Sequence, residues 1–317
     1  MTPGPAPAAA PVPAPLPAPV PFPLPLSGQV ALITGAGGGI GRPLAAALAA
    51  EGMAVGLIGR DRSRLERTAA ECARHGADTV VAPADVRSAA ALHAATAQVR
   101  SALGPVDLLV NGAGLVDRGE APLWAADPDH WWEVYETNVR GTVNACRAVA
   151  PDMLRRRSGR IVNVNSVFAV RGDVRYSAYS GSKASLLTLT ALLADELAAA
   201  GVRMFDISPG MVRTEMTLGM AVCAGRADWT DPSRFLTAMV RVARGELDAL
   251  AGRLLHAGAD DIDELLTRAA ELHATGARTL RMRPHGPSDA LAPPPPPPPP
   301  PSPSPPPPPP PPPTGTS

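Results

Sequence analysis

Gln29-Val30-Ala31-Leu32-Ile33-Thr34 runs without a break into Gly35-Ala36-Gly37-Gly38-Gly39-Ile40-Gly41, and an Ala- and Leu-rich stretch follows through residue 51. The aliphatic run reads as a buried strand and the stretch after the glycines as a helix. Glycine lets the chain turn tightly and lets backbone approach a ligand that a Cβ would block. At the head of a helix, such a turn presents N–H groups and the positive end of the helix dipole, which suits a pyrophosphate. A glycine-rich turn alone is weak evidence, since an ordinary flexible turn is the other reading. Its place between a strand and a helix favours the binding reading.

Working outward, short apolar runs at 29–34, 54–58, 79–84, 107–110, 160–165, 202–207 and, weakly, 252–256 alternate with amphipathic stretches at 40–51, 64–75, 88–102, 129–156 and 177–200. This alternation predicts right-handed crossovers and a parallel sheet with helices on both faces. The fold class is therefore α/β, a single Rossmann-type doubly wound parallel sheet of about seven strands. Ser63-Arg64-Leu65-Glu66 reads as a capping box that starts the second helix. Gly104-Pro105 and Ser158-Gly159 close the helices before the fourth and fifth strands. Past Gly219 the alternation weakens, with one helix expected in 232–249 and another in 260–274.

Of the 317 residues 40 are proline, concentrated at the two ends. Proline has no N–H and a fixed φ, so residues 1–26 and 291–317 are expected to be disordered Pro-rich tails, leaving 27–290 as one domain. Net charge is zero and its signs are interspersed, which gives no footprint for nucleic acid or an anionic membrane. A small-molecule substrate is expected. The N-terminus lacks the pattern of a signal peptide, and no apolar stretch is long enough to span a bilayer, so a soluble, cytoplasmic protein is expected. Cys72, Cys146 and Cys223 have no metal-site spacing and the six histidines no paired spacing. Neither a disulfide framework nor a metal site is expected.

A second cluster, Tyr179-Ser180-Gly181-Ser182-Lys183, follows Ser166 by thirteen residues. On a helix starting near 177, Tyr179 and Lys183 lie one above the other. They share an edge with Leu186, Thr190, Leu193 and Leu197, which predicts an inward-facing pair. Taken singly, Tyr179 could be a helix-edge aromatic, Lys183 a solvated charge and Ser166 a strand-end hydroxyl. Yet Lys183 is the single lysine among 29 basic residues. A chain that otherwise uses arginine places its one compact ammonium here, where a planar guanidinium is no substitute. Trp131 and Trp132 begin an apolar stripe continuing through Tyr135, Val139, Val143 and Cys146, which reads as core. Tyr176 has Ser180 rather than Lys at i+4 and is not counted as catalytic.

Together these residues resemble the short-chain dehydrogenase/reductase family. The T-G-x-x-x-G-x-G turn, the Y-x-x-x-K pair and the upstream Ser fall in family order and spacing over about residues 27–215. Ala84-Asp85-Val86 looks like the segment whose Asp contacts adenine, and Asn111-Gly112-Ala113-Gly114 is similar to the N-N-A-G turn after the fourth strand. Thr137-Asn138-Val139-Arg140-Gly141 carries the family's helix asparagine, and Ser208-Pro209-Gly210-Met211-Val212-Arg213-Thr214 resembles its P-G-x-V-x-T segment. Gly112 and Ser208 stand where Asn is frequent, which alters local turn bonds without removing a catalytic group.

The resemblance implies an NAD(P)(H)-dependent oxidoreductase that transfers hydride between the nicotinamide and an alcohol/ketone pair. Tyr179 would be the general acid/base, Ser166 would hold the substrate oxygen, Lys183 would favour phenolate and bind ribose, and Asn138 would position a water. Cofactor contacts would come from Gly35, Gly37, Gly39, Ile40 and Gly41, from Arg60, Asp85 and Val86, from Asn111, Ala113 and Gly114, from Tyr179 and Lys183, and from Pro209, Gly210, Val212 and Thr214. Residues 167–175 and the loop 214–235 would shape the substrate pocket. After the second strand come Gly59-Arg60-Asp61: Gly59 leaves room, and Arg60 can fork onto a 2′-phosphate. NADP(H) is therefore favoured over NAD(H), with Asp61 the contrary sign. The family also implies a homo-oligomer, dimer or tetramer, through the helices at 129–156 and 177–200. Two other readings are an extended-type sugar epimerase or dehydratase and a non-catalytic nucleotide-binding sensor or scaffold. The first usually spaces its turn T-G-x-x-G-x-x-G, and the second commonly loses the Tyr or Lys.

Overall fold

In a computed structural model the described residues are 26–282; the rest of both Pro-rich segments lies outside them. Strands β1 (Val30–Thr34), β2 (Ala54–Gly59), β3 (Thr79–Pro83), β4 (Leu108–Asn111), β5 (Gly159–Val164), β6 (Val202–Ser208) and β7 (Leu254–His256) form one sheet in the order β3-β2-β1-β4-β5-β6-β7. Every pairing is parallel. Between them run α1 (Gly41–Ala50), α2 (Arg62–Ala73), α3 (Ala89–Leu103), α4 (Pro128–Tyr135), α5 (Gly141–Arg156), α6 (Phe168–Arg171) and α7 (Ser177–Ala199), and after β6 come α8 (Glu215–Leu218), α9 (Pro232–Ala243), α10 (Ile262–Thr267) and α11 (Ala269–Thr275).

Both faces of the sheet are covered, so its strands are apolar at successive positions yet still alternate in direction. In β1, Ala31 and Ile33 pack against α1, α2 and α9, whereas Val30 and Leu32 pack against α3 and α5. The chain reverses direction across the sheet between β1 and β4, and the crevice at the carboxyl ends of those strands is where this topology places a ligand. Asp61, Ser88, Asp127, Asp231 and Asp261 each accept a backbone N–H at the start of a helix. Such caps satisfy donors that the first turn leaves open.

Several expectations need correction. The second helix begins at Arg62 and is capped by Asp61, whose carboxylate accepts Arg64 N at 3.1 Å; Ser63 donates its hydroxyl to Asp61 and caps nothing. The stretch 129–156 is not one regular helix, because a π-helical turn, Glu136–Arg140, separates α4 from α5. The tryptophan stripe is not core: Trp132 is 61% and Val143 37% exposed, and Trp131 stacks on Tyr135 at 5.0 Å. Leu193, 43% exposed, falls off the buried edge of α7. Leu26, assigned to the tail by composition, is buried in the core. The helix expected in 232–249 ends at Ala243, and that in 260–274 is divided at Arg268.

Helix α3 rests directly on the backbone of β2. A Cβ on Gly56 would lie 2.5 Å from Val99 Cγ1 and 2.8 Å from Leu32 Cδ1. Both neighbours are buried and have little room to yield. Gly56→Ala is therefore expected to destabilise the protein by about 1–3 kcal/mol through overpacking. Chemical unfolding should show a lower midpoint at unchanged denaturant slope; an unchanged midpoint would refute this account of the packing.

Candidate active site

The site is built from turns that leave the carboxyl ends of β1, β2, β3, β4, β5 and β6. After β1 the chain turns at Gly35, φ +73°, where a Cβ would stand 2.8 Å from the backbone of Ala113. Only glycine lets the two turns pass at this separation. Thr34 Oγ1 fixes their relation by accepting Gly112 N at 3.1 Å and Ala113 N at 3.2 Å. Thr68 on α2 donates to Ala36 O at 2.9 Å and holds the glycine turn from the other side. Helix α1 starts without a side-chain cap, which leaves its amino end available to an anion.

A cleft of about 390 Å³ runs from this turn to Tyr179. Its walls include Gly35, Gly37, Gly39, Ile40 and Gly41, then Arg60, Asp85 and Val86, then Ala113 and Gly114, then Ser166, Tyr179 and Lys183, and finally Pro209, Gly210, Val212 and Thr214. Residues scattered over some 180 positions of sequence thus meet along one groove. Asn111 does not reach it. Its side chain is buried behind β4, donating to Asn163 Oδ1 at 2.9 Å. Asp85 reaches the cleft with its carboxylate held by the Arg87 guanidinium at 2.7 Å, and this pairing keeps it below the usual carboxylate range.

At the far end, Ser166 follows β5 and lines the cleft together with the Tyr179 phenol. Lys183, one turn beyond Tyr179 on α7, places Nζ 5.6 Å from the tyrosine ring centre and donates to Val164 O at 2.6 Å. Burial pushes the Tyr179 phenol up and the Ser166 hydroxyl pulls it back. Burial pushes the Lys183 ammonium down to about 8, against the opposing pull of Asp206. Asn138 lies in the π turn, fully buried. It donates to Leu115 O and Ser182 Oγ and accepts Leu115 N, tying the turn after β4 to α7. Both N–H donors of its amide are therefore taken. Tyr176 is buried among Met220, Cys223 and Phe168, away from Lys183.

Some residues that build the site carry no local signal in the sequence. Asp117, in the turn after β4, accepts Ala178 N at 3.1 Å and Tyr179 N at 2.9 Å. It caps α7 from 61 residues away and so sets the height of Tyr179. Arg64, one turn into α2, lies over Gly38 and pairs with Glu215 of α8 across the mouth of the cleft. The walls beside Tyr179 are apolar, made by Leu115, Phe168, Met211, Met216 and Met220; two of these lie in the 214–235 loop and Phe168 in 167–175. A second, open groove lies between residues 114–120 and 215–221. Among the described residues no cluster could hold a metal ion, and no helix is long and apolar enough to cross a membrane.

The profile of the short chain dehydrogenase family matches residues 29–221. A short chain dehydrogenase of Pseudocercospora fijiensis is 37% identical over 191 residues, which is 60% of this chain and 62% of that protein. The 2,3-dihydro-2,3-dihydroxybenzoate dehydrogenase of Bacillus subtilis is 35% identical over 191 residues, covering 60% of this chain and 72% of its own. Among solved structures, an NAD+-bound xylitol dehydrogenase superposes with a TM-score of 0.66 at 28% identity, over 74% of this chain and 99% of the other. A gluconate 5-dehydrogenase from Burkholderia cenocepacia, in complex with NADP and tartrate, gives 0.66 at 30% identity over 73% and 94%. The family model covers more than half of the sequence and the strand order is that of the doubly wound sheet of these neighbours: the chain belongs to the short-chain dehydrogenase family of oxidoreductases.

Proposed function

We propose that the protein interconverts an alcohol and a ketone with a nicotinamide dinucleotide, Tyr179 carrying the proton. The observation behind this reading is that one groove leads from the glycine turn to the Ser166, Tyr179 and Lys183 side chains. The residues fit such a cofactor. The close approach at Gly35 and the uncapped start of α1 suit the pyrophosphate, Asp85 and Val86 lie where adenine would be read, and Lys183 and Tyr179 flank the place for the nicotinamide ribose. When bound, the dinucleotide supplies the hydride acceptor or donor.

Ser166 orients the substrate oxygen beside the phenol. A buried phenol held above its ordinary value is protonated at neutral pH and can donate to a ketone oxygen. Alcohol oxidation asks the reverse, a drop from about 10 toward neutrality, worth roughly 4 kcal/mol. The Lys183 ammonium and the Ser166 hydroxyl favour phenolate and act in that direction. The apolar Leu115, Phe168 and methionine walls suit a substrate whose reacting carbon bears apolar groups.

The cofactor reading is NADP(H). Gly59 ends β2 without a side chain, and a Cβ there would be 3.3 Å from Leu65 Cδ2, close but against a flexible neighbour. Asp61 is committed to Ser63 and to the start of α2, and the Ser63 hydroxyl holds its carboxyl below the ordinary range. Arg60 and Arg64 both line this end of the cleft, where a 2′-phosphate would find planar donors. We also infer a cytoplasmic homo-oligomer, dimer or tetramer, joined through α4, α5 and α7. The exposure of Trp132, Val143 and Leu192 supports such an interface.

Tyr179→Phe should lower turnover by about 10²–10⁴-fold while cofactor binding, followed by fluorescence, changes little. Turnover within about twofold of wild type, the scale of an uninvolved residue, would sink the assignment. Lys183→Arg should be severely impaired although charge is kept.

Arg60→Ala should weaken NADP(H) by about tenfold or more, the worth of a charge-assisted hydrogen bond, with far less effect on NAD(H). Gly59→Asp should shift selectivity toward NAD(H). Equal losses for the two cofactors in Arg60→Ala would show that Asp61 reads the ribose instead. Light scattering on the full chain should give the mass of a dimer or tetramer; a monomer would remove the oligomer reading.

A further inference from the structure

On the sheet face toward α5 and α7, the inward pattern turns polar at the carboxyl end. β4 reads Leu109 then Asn111, β5 Ile161 then Asn163 with Asn165 just past its end, and β6 Val202, Met204 and then Asp206. All four polar residues are buried, Asp206 to 1% exposure. An ionisable group in that place is costly unless something compensates it.

The compensation for Asp206 is a set of hydrogen bonds from neighbouring amides. Asn165 Nδ2 donates to Asp206 Oδ1 at 2.7 Å and also to Lys183 O at 3.2 Å. The same amide accepts Ser166 N at 2.7 Å through its oxygen. Asn163 donates to Thr190 Oγ1 at 3.1 Å, and both residues lower the Asp206 carboxyl against the effect of its burial. One carboxylate is thus linked through a single amide to the backbone of both Ser166 and Lys183. The titratable groups that sense Asp206 from the elements around it are Lys183 of α7 and the Cys146 thiol of α5. Burial pushes that thiol up to about 11, which leaves it neutral. The cation whose field reaches Asp206 is therefore Lys183, beyond ion-pair distance and joined to it through Asn165.

We propose that Asp206 is a positioning residue for the proton-transfer site, the buried counter-charge that keeps Lys183 an ammonium, with Asn165 as the link that holds the two in register. The proposal rests on the role given to Lys183 in the reading above. A lysine at this depth loses its charge readily, because desolvation favours the neutral amine. Its Val164 O bond satisfies one donor but supplies no net negative charge. A fixed carboxylate on the next strand supplies it without occupying the cleft, which leaves Nζ free to face Tyr179. Burial in turn pushes Asp206 up to about 6, so both charges predominate between that titration and the lysine's own.

The single lysine makes the test direct. Full-length protein grown with lysine labelled with carbon-13 at Cε gives one lysine side-chain signal, that of Lys183, readable by NMR without cofactor or turnover. In the wild type this signal should show a main step near 8 and a smaller one near 6, where Asp206 takes its proton. In Asp206→Asn, which keeps the shape and an oxygen for Asn165, the smaller step should vanish and the main step should move down by about one pH unit or more. The alkaline fall of alcohol oxidation should move by the same amount. A main step at the same pH in variant and wild type overturns the proposal, whatever happens to turnover. Should the variant fail to fold, the wild-type titration decides: the absence of a lower step overturns it. Because the signal needs no catalysis, an inactive protein with the expected titration would count against the proposed chemistry and not against the Asp206–Lys183 pair.

Discussion

The near-contact of two backbone turns governs this structure. The turn after β1 and the turn after β4 cross at the point where the sheet changes direction, with no room for a side chain between Gly35 and Ala113. Thr34, the last residue of β1, hydrogen-bonds across to the second turn. Strand pairing, the glycine turn and the position of Gly114 beside Asn138 and Lys183 are therefore one geometric problem. A wider crossing would separate the pyrophosphate end of the cleft from the reacting end.

From that crossing the polar residues of the site are arranged by depth. Near the surface, charges are met by charges: Asp85 with Arg87, and Arg64 with Glu215. Partly exposed pairs of this kind contribute little to stability, but they fix where guanidinium groups stand around the cleft. Deeper in, charge is scarce and is met by amides. Asn138, Asn163 and Asn165 can donate and accept at once, so each connects two or three elements without adding a net charge to the interior. The inner end of the site can then carry one ammonium and one carboxylate in a region otherwise packed with aliphatic side chains.

The sheet and its order of elements were legible in the sequence because they follow from periodicity. The alternation of aliphatic strands with amphipathic helices is repeated so often that small boundary errors do not change the outcome. The reacting residues were legible for a different reason: Tyr179 and Lys183 are neighbours on one helix, and the single lysine marks itself. What the sequence did not show depends on contacts between distant positions. Ser63 and Asp61 both make plausible caps, and only the path of the chain out of β2 gives the role to Asp61. Trp132 fits the apolar stripe of a helix, but no element among the described residues covers that face. Asn111 sits in a motif that suggests a ligand, but it is the last residue of β4 and faces inward with Leu109. The π turn at Glu136–Arg140 has no compositional marker, although it brings Asn138 against Leu115.

The segment from Leu115 to Glu120 shows how these distant contacts combine. Its first residue is clamped by Asn138, and its third, Asp117, accepts the first backbone N–H groups of α7. Glu120, held at φ +48°, accepts the N–H of Ala221 in the loop that follows α8. One short stretch thus touches the asparagine of the π turn, the start of the helix that bears Tyr179 and the far side of the substrate loop. Left-handed backbone at a non-glycine residue costs of order 1–3 kcal/mol and persists only where the surroundings compensate; here the carboxylate contact to Ala221 is one such compensation. On the opposite side, Arg64 joins α2 to α8 through Glu215. The first part of the substrate loop is therefore held at two points, by the Glu120 carboxylate of the turn that positions the tyrosine and by its own Glu215 on an arginine beside the glycine turn. A displacement of residues 215–221 has to alter the surroundings of Tyr179 and of the cofactor cleft together, since neither contact can be kept while the other moves far.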